Sequence, residues 1–448
     1  MKTKLFLFFL LLVAATQLKA NNMLVKNVTT TGDNTANKTI QVQFDMSWDN
    51  SWRDAINWDA AWVFMKYKDA NGLWQHVMLN TTGFANGTGT ANTIQVGSDK
   101  VGAFVYRSAP GTGTFGSTTM QLQWNYGLSG LTNVTGLELR VFAVEMVYVP
   151  QGDFNIAKGF CVIGQNYSSQ FNGSFNAPAG NFPVINTKLT PTLSYATNQY
   201  NTYRSASKTA AMPPSGYYDT TESANLRIKG DAGIDTNNDG IVDNTTYPTG
   251  YKAFYSYKYE MTEQQYADFL NTLTAAQINT LGVAGSSITL TNGQYFSSTP
   301  NTACGNGNAD RLFAYADWSG LRPMTILELN KASYGPFKPR LEYWDYGNGI
   351  TYPRPDGRYL TNYATPTLQA AGTSYYGIMD LTGVNTSEPV IKLNYFNYTN
   401  QNGNGVLGST GVSDISNWTA TNKVLFVDQA RDLYGSGFYG FRYVRSAE

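Results

Sequence analysis

The first third of the chain alternates apolar and polar positions with the two-residue period of half-buried β-strands. In residues 38–48 every second side chain is apolar, namely Ile40, Val42, Phe44 and Met46. The same alternation, interrupted by loops rich in Gly, Thr and Asn, recurs in residues 60–68, 73–80, 100–108, 120–127 and 137–149. This pattern predicts an all-β sandwich over residues 21–145.

Residues 311–336 follow the period of a helix instead. Apolar or small residues recur at helical spacing at Leu312, Tyr315, Ala316 and Ser319. Gly320 follows at the place where a helix favours a left-handed C-terminal residue. Thr325 and Glu328 then form a capping box that begins a second helix, and Gly335-Pro336 ends it. We therefore predict helix, tight turn and helix in this stretch.

A similar pattern begins near residue 254. Residues 254–260 predict a strand, and Thr262 with Gln265 forms a capping box directly after it. The predicted buried face of the helix that follows comprises Tyr266, Phe269, Leu270 and Leu273. Upstream, residues from about 160 to 247 have few periodic elements and many Asn, Ser, Tyr and Thr residues, which indicates a loop-rich insertion.

Residues 1–20 have the composition of a secretory signal peptide. Lys2 and Lys4 precede an apolar run over residues 5–15, and Ala20 offers a small residue for cleavage. The apolar run is too short to span a bilayer. We therefore expect that the chain is an exported bacterial protein and that it does not span the membrane. It would be secreted or held at the cell surface or in the periplasm.

The charge of the mature chain bears on its partners. The chain has 31 basic and 31 acidic residues, and the signal peptide takes three lysines with it, so the mature net charge is about −3. A slightly acidic chain without a basic run is not expected to bind nucleic acid. Only 14% of residues are charged, a composition typical of an extracellular, loop-rich β protein.

Few side chains in this sequence point to catalysis. The one histidine, His76, stands beside Val77 on a predicted strand, and we expect it to be a packed or surface residue rather than a catalytic one. The carboxylates are scattered, and no spacing singles out a pair. Cys161 and Cys304 are the only cysteines. An exported protein can oxidise two cysteines to one bridge, but the sequence leaves open whether these two meet in space.

Four tryptophans stand close together in the sequence: Trp48, Trp52, Trp58 and Trp62. Such a group can form a surface on which sugars stack, or it can fill the core of a β-sandwich. We favour the core, because large aromatic side chains in alternating strands are usually buried.

Residues 235–243 match an acidic calcium-binding loop. Its oxygen donors would be the side chains of Asp235, Asn237, Asp239 and Asp243 together with the backbone carbonyl of Ile241. Gly240 stands at the sharp turn, but Thr246 replaces the bidentate glutamate of an EF-hand. The pattern predicts a weak extracellular Ca²⁺ site, with an Asn/Asp/Gly turn as the alternative.

Several strings resemble those of the formylglycine-generating, sulfatase-modifying factor family. AYADWSGLRPMT, within residues 311–336, is similar to the family's AYADWAGLRPMT. Further similar strings, in the family's order, are MVYVPQGDFNIA at 146–157, YEMTEQQYADFLN at 259–271, YYGIMDLTGVN at 375–385 and GFYGFRYVR at 437–445. The resemblance implies a C-type-lectin-like α+β fold for residues 146–448. The whole chain is then predicted as α+β, an N-terminal all-β sandwich followed by this domain.

The chemistry that the resemblance implies is incomplete in this chain. Oxidase members of the family hold copper and the substrate thiol with two cysteines near the C-terminal end of the motif series, and soft Cu(I) requires such thiolates. Here no cysteine follows Cys304. A related iron-dependent branch uses histidine ligands, and His76 is the single candidate. Ser333 replaces a cysteine that relatives bridge, so that either Cys161 substitutes for it or both thiols are free.

These observations predict an exported, non-catalytic member of the family that acts as a binding or envelope-assembly scaffold. Its partner would be an envelope protein or a glycan. Two alternatives stay open. One is a formylglycine-generating oxidase that activates sulfatases, and the other is a carbohydrate-binding surface protein.

Overall fold

The computed structural model describes residues 23–155, 250–307, 309–325, 374–379, 402–409 and 441–448, and shorter pieces at 184–185, 193–194, 248, 328–329, 331–332, 335, 389–391, 425–427 and 438–439. These residues form mostly antiparallel β-sheets with few helices, as the predicted α+β class requires. Most of the predicted insertion at about 160–247 lies outside the described residues. Within the described part, no helix is long and apolar enough to cross a membrane.

The strands are β1 (Leu24–Asn34), β2 (Thr39–Arg53), β3 (Asp59–Lys68), β4 (Trp74–His76), β5 (Thr88–Gly89), β6 (Asn92–Val96), β7 (Ala103–Arg107), β8 (Gly111–Asn125), β9 (Leu139–Val149), β10 (Phe154–Asn155), β11 (Val184–Ile185), β12 (Leu193–Ser194), β13 (Phe254–Tyr257), β14 (Ile288–Thr291), β15 (Gln294–Ser297), β16 (Gly305–Gly307), β17 (Arg322–Pro323), β18 (Pro389–Ile391), β19 (Leu425–Val427), β20 (Phe438–Tyr439) and β21 (Tyr443–Ser446). The helices are α1 (Glu263–Leu270), α2 (Ala275–Leu281) and α3 (Ala309–Ser319).

Two sheets pack face to face in the N-terminal part. A four-stranded sheet of order β1-β2-β8-β5 covers one face of an eight-stranded sheet. The alternation predicted for β2 is observed, because Val42, Phe44 and Trp48 are fully buried while the polar residues between them are partly exposed. The core between the sheets is built from such inward-facing side chains of both sheets.

The eight-stranded sheet continues past residue 145, where the sequence predicted a domain boundary. Its order is β17-β21-β13-β9-β3-β7-β6, with β4 paired to β3. Strand β9 runs without interruption across the predicted boundary and pairs with β3 on one side and β13 on the other. The residues predicted as a sandwich and those predicted as a second domain therefore share one sheet. The boundary at residues 145–146 is not observed.

A second apolar core lies on the other face of this sheet. Successive β9 side chains face opposite cores, with Val141 and Ala143 on the sandwich side and Val144 and Met146 on the helical side. Such a strand is covered on both faces, which explains why its sequence is almost continuously apolar. Helix α3 fills much of the second core through Leu312, Phe313, Tyr315 and Ala316.

Helix α3 ends as the sequence predicts. Gly320 has φ +72°. Its amide donates to the carbonyl of Asp317 at 3.0 Å, and the amide of Leu321 donates to that of Ala316 at 2.7 Å. These two bonds make a Schellman motif, which requires a left-handed residue at the position of Gly320. The motif turns the chain directly into β17, beside β21.

Both predicted capping boxes are present. The Thr262 hydroxyl accepts from the Gln265 amide at 3.2 Å, and the Gln265 side chain accepts from the Thr262 amide at 2.9 Å. Thr325 and Glu328 exchange the corresponding bonds at 3.2 and 3.0 Å. The described residues that follow Glu328 are helical as far as 332, and Gly335 has φ +68°.

Helix α1 is tied to the hairpin β14–β15 by its first residue, Glu263. One carboxylate oxygen accepts from the amide of Ser286 at 2.9 Å, and the other accepts from the hydroxyls of Ser297 at 2.7 Å and Thr299 at 3.0 Å. Burial opposes ionisation of this side chain, but the hydrogen bonds outweigh burial and lower the pKa of Glu263.

Candidate functional site

Three charged side chains meet inside the eight-stranded sheet, where β13, β9 and β3 lie side by side. We call Asp59, Glu145 and Lys258 the buried cluster. The amine of Lys258 lies 2.6 Å from Oε1 of Glu145 and 3.9 Å from Oδ2 of Asp59. At most 5% of any of the three side chains is exposed. The register brings them together because Asp59 lies opposite Val147, two residues along β9 from Glu145.

The opposing sheet holds the Asp59 carboxylate in place. The indole Nε1 of Trp48 donates to Oδ2 at 2.9 Å. The hydroxyl of Ser51 and the backbone amide of Trp52 both donate to Oδ1 at 3.0 Å. The Ser51 oxygen in turn accepts from Nε of Arg107 at 2.9 Å, so its own hydrogen is free to point at Asp59. Asp59 therefore joins β3 to β2 across the core.

The pKa values of Glu145 and Lys258 in the cluster are shifted from their ordinary values. Burial raises the pKa of Glu145 to about 8; Lys258 acts against this shift and Asp59 adds to it. Burial alone would lower the pKa of Lys258, but the negative charges of Glu145 and Asp59 outweigh burial and raise it. An amine and a carboxyl group with perturbed pKa values thus lie in contact in a dry environment. Perturbed ionisable groups in contact are candidates for chemistry.

A segment from the C-terminal half, residues 374–379, packs over the cluster. The side-chain amide of Asn57 donates to the Tyr376 carbonyl at 2.7 Å, and the Met379 amide donates to the Lys258 carbonyl at 2.8 Å. The guanidinium of Arg442 donates to the Met379 carbonyl at 2.6 Å. Part of the family-like YYGIMD string therefore serves here as a cover.

The C-terminal end of α3 is a second junction between the two cores. Lys66 of β3 donates from Nζ to the Trp318 carbonyl at 2.7 Å and to the Gly405 carbonyl at 2.5 Å. The indole of Trp62 donates to the Ser319 carbonyl at 2.9 Å, and Arg445 donates to that of Gly320. Cationic and N–H donors at a helix C-terminus satisfy its free carbonyls.

His76 is packed into this junction, which is one of the two settings, packed or surface, that the sequence predicts for it. It is 6% exposed, and its Nε2 lies 2.7 Å from the Val101 carbonyl while its Nδ1 lies 3.0 Å from the Lys66 amine. Because a carbonyl only accepts, we place the proton on Nε2, so that Nδ1 accepts from Lys66. Burial, with Lys66 adding to it, lowers the pKa of His76 well below its ordinary value. The ring is neutral and structural.

Two of the four tryptophans are core residues, and the other two are partly buried and pack against the core. Trp48 and Trp62 are fully buried. The ring of Trp58 stacks on Tyr148 at 4.0 Å, and the guanidinium of Arg53 lies 4.3 Å from its centroid. Contacts of this kind occupy the aromatic faces that a sugar would need. Trp52 is half-buried and packs against the core.

Cys304 is buried, and it has no disulfide partner among the described residues. Burial raises the pKa of this thiol well above its ordinary value, with Glu263 acting in the same direction. Cys161 lies outside the described residues. Cys304 is therefore in an environment that suppresses thiolate formation.

The predicted calcium ligands Asp235, Asn237, Asp239, Ile241 and Asp243 lie outside the described residues. Among the residues that are described, no group of three or more His, Cys, Asp and Glu side chains is placed to hold a metal ion. The calcium loop stays a prediction.

No protein-family model, curated protein or solved structure matches the chain. The family resemblance thus rests on the strings quoted above. The buried cluster was not predicted from sequence, although one signal was present. Glu145 is the single charged residue in the apolar run VFAVEMVYV, and a charge at such a position needs a partner.

Proposed function

We propose that the chain is an exported, non-catalytic relative of the sulfatase-modifying factor family, with a C-type-lectin-like C-terminal part, that acts as a binding or envelope-assembly scaffold. The observation that carries this proposal is Cys304. A thiol that binds Cu(I) or exchanges with a substrate must reach the thiolate state and solvent. Cys304 is 0% exposed with a raised pKa, and no cysteine follows it in the chain.

The charged residues in the family-like strings support a structural role. Arg322 makes a buried two-point ion pair with Glu328 at 2.7 and 2.5 Å. Arg442 donates to the carbonyls of Tyr257 and Met379. Arg445 donates to both carboxylate oxygens of Asp99 at 2.6 Å. These contacts leave the guanidinium groups engaged in holding strands and segments together.

An oxidation assay tests the non-catalytic part of the proposal. Purified protein is incubated with Cu(I), oxygen and a peptide that carries the sulfatase cysteine motif. We expect the peptide cysteine to stay unchanged. An aldehyde product that disappears in the Cys304→Ser variant would establish the oxidase alternative instead.

Export and attachment form the second part of the proposal. The predicted cleavage after Ala20 leaves Asn21 as the first residue of the mature chain, which the intact mass of the exported protein tests. A mature species that retains Met1 would contradict export through this signal peptide. Binding to a glycan array would favour the carbohydrate-binding alternative, whereas recovery in a defined complex with an envelope protein would support the scaffold.

Calcium is part of the same proposal. With three carboxylates and no bidentate glutamate, the loop at 235–243 should bind Ca²⁺ with a dissociation constant on the order of 10⁻⁴ to 10⁻³ M. Asp239→Ala removes a ligand and should abolish protection of residues 225–250 from proteolysis by millimolar calcium. Asn238→Ala, at a non-ligand position, should retain it. Equal cleavage of the wild type with calcium and with chelator would return the loop to an ordinary turn.

A further inference from the structure

We propose that Lys258 and Asp59 condense to form an intramolecular amide bond, and that Glu145 carries the protons in this reaction. The product would be a covalent cross-link between β3 and the residue that follows β13. This inference does not depend on the proposed scaffold function.

The reacting groups are already in contact. The amine of Lys258 is 3.9 Å from the nearer carboxylate oxygen of Asp59, and the lysine side chain has four rotatable bonds with which to close the remaining distance. Asp59 lies in β3, and Lys258 directly follows β13, where its backbone amide donates to the Glu145 carbonyl of β9 at 3.1 Å. Groups held with their reacting atoms about 3–3.5 Å apart react with effective molarities far above any concentration in solution.

The donors around Asp59 suit the reaction at its carboxyl carbon. Attack by the amine places negative charge on one carboxyl oxygen. The Ser51 hydroxyl and the Trp52 amide both donate to Oδ1 at 3.0 Å, where they would stabilise this charge and later the amide carbonyl. Trp48 donates to Oδ2, the oxygen that must leave. The two oxygens of Asp59 thus have different surroundings.

Glu145 is placed to move protons between the reactants. Its Oε1 lies 2.6 Å from the Lys258 amine, the distance of a direct proton transfer. Burial and Asp59 raise the pKa of Glu145, which makes its carboxylate a stronger base towards the lysine proton. Transfer of a proton from the lysine to Glu145 leaves an uncharged amine, the form that is nucleophilic, beside an uncharged acid. The raised pKa of Lys258 opposes this transfer, so the uncharged pair is a minor form through which the reaction passes.

The reaction balances without an added reagent. The ammonium of Lys258 gives one proton to Glu145. The lone pair of the resulting amine nitrogen then forms the N–Cγ bond with Asp59. Glu145 returns that proton to Oδ2, and the nitrogen releases a second proton to the same oxygen through Glu145. The Cγ–Oδ2 bond breaks and one water leaves, so that Glu145 ends in its starting state. No atom is oxidised or reduced.

The other buried cations in the described part of the chain are unsuited to this chemistry. The buried ion pairs of Arg322 and Arg445 use guanidinium groups, which do not deprotonate in proteins. The buried amine of Lys331 contacts the carbonyl oxygens of Pro150 and Gly250. The buried amine of Lys66 contacts the carbonyl oxygens of Trp318 and Gly405. The Lys258 amine, by contrast, contacts two carboxyl groups.

The test is the mass of the folded wild-type mature chain, measured under denaturing conditions after incubation at neutral pH. We expect it to be lighter than the sequence mass by one water. Lys258→Arg keeps the charge but lacks the amine, so it should have the full mass. Glu145→Gln keeps hydrogen-bonding atoms but does not carry a proton, so it should stay at full mass while the wild type converts.

Tryptic digestion locates the missing water. The proposal predicts one branched peptide that joins the segments containing Asp59 and Lys258. A wild-type chain that keeps the full sequence mass would overturn the proposal, whether or not either variant folds. Loss of water mapped to another position, such as a succinimide at a different aspartate, would overturn it as well. None of these outcomes affects the oxidase assay, so the two proposals fail separately.

Discussion

The ion pair between Arg322 and Glu328 offers a quantitative test of the junction after α3. Glu328 accepts from both terminal nitrogens of Arg322, at 2.7 and 2.5 Å, and from the amide of Thr325 at 3.0 Å. Only 1% of the arginine side chain and 2% of the glutamate side chain are exposed. The glutamate therefore caps a helix and neutralises a buried cation at the same time.

We expect Glu328→Gln to destabilise the protein by about 3–5 kcal/mol, because removal of one partner leaves a buried charge uncompensated. Glutamine can still accept from the Thr325 amide, so the loss reports on the ion pair rather than on the helix cap. A loss of about 4 kcal/mol shifts the folding equilibrium constant roughly a thousandfold. Replacement of both Arg322 and Glu328 by methionine should cost less than the single change, since no charge is left unpaired.

Urea unfolding followed by tryptophan fluorescence at neutral pH measures these changes. The control is Glu138→Gln, which breaks a pair with Arg140 at 3.3 Å and an exposed pair with Lys68 at 3.6 Å. The side chains of that pair are 41% and 48% exposed, and we expect a loss below about 1 kcal/mol. If Glu328→Gln is no more destabilising than Glu138→Gln, the buried ion pair does not stabilise the junction as argued.

Two further predictions concern the stability of the fold, one at Gly405 and one at Glu263. A Cβ added at Gly405, where φ is +84°, would lie 2.3 Å from the ring of His76. A Cβ added at Gly130, where φ is +75°, would have no atom within 4 Å. Gly405→Ala should therefore lower the melting temperature more than Gly130→Ala. Because the pKa of Glu263 is lowered in the folded protein, its ionised side chain stabilises the fold above the ordinary pKa of 4.5, and this stabilisation is lost as the pH falls. Glu263→Gln should therefore flatten the acid limb of the curve of unfolding free energy against pH. An unchanged acid limb would refute this.

Local patterns in the sequence were sufficient for much of the secondary structure. The alternation in β2, the helical period of α3 and the cap at Gly320 all depend on residues within a few positions of one another, and all three are observed. The hairpin β14–β15 was not predicted although Asn292-Gly293 forms its turn, because its exposed strands carry a weak apolar pattern.

The arrangement of the sheets could not be predicted in the same way. Strand β9 is partnered by strands from far earlier and far later in the chain, and no local pattern records that choice. The predicted boundary at residue 145 precedes the family-like string that begins at Met146, although the hydrogen bonds of β9 continue across it. The buried cluster could not be predicted for the same reason, because Asp59, Glu145 and Lys258 are far apart in sequence and meet only through strand register.

The most direct test of the central claim, that this chain performs no thiol oxidation, is the accessibility of Cys304. In a Cys161→Ser variant, Cys304 is the only cysteine, and its reaction with a thiol reagent at neutral pH can be timed in the folded and urea-unfolded protein. Because the thiol is 0% exposed and burial raises its pKa, we predict labelling at least about a hundredfold slower in the folded state. Rapid, stoichiometric labelling of the folded protein would contradict the claim.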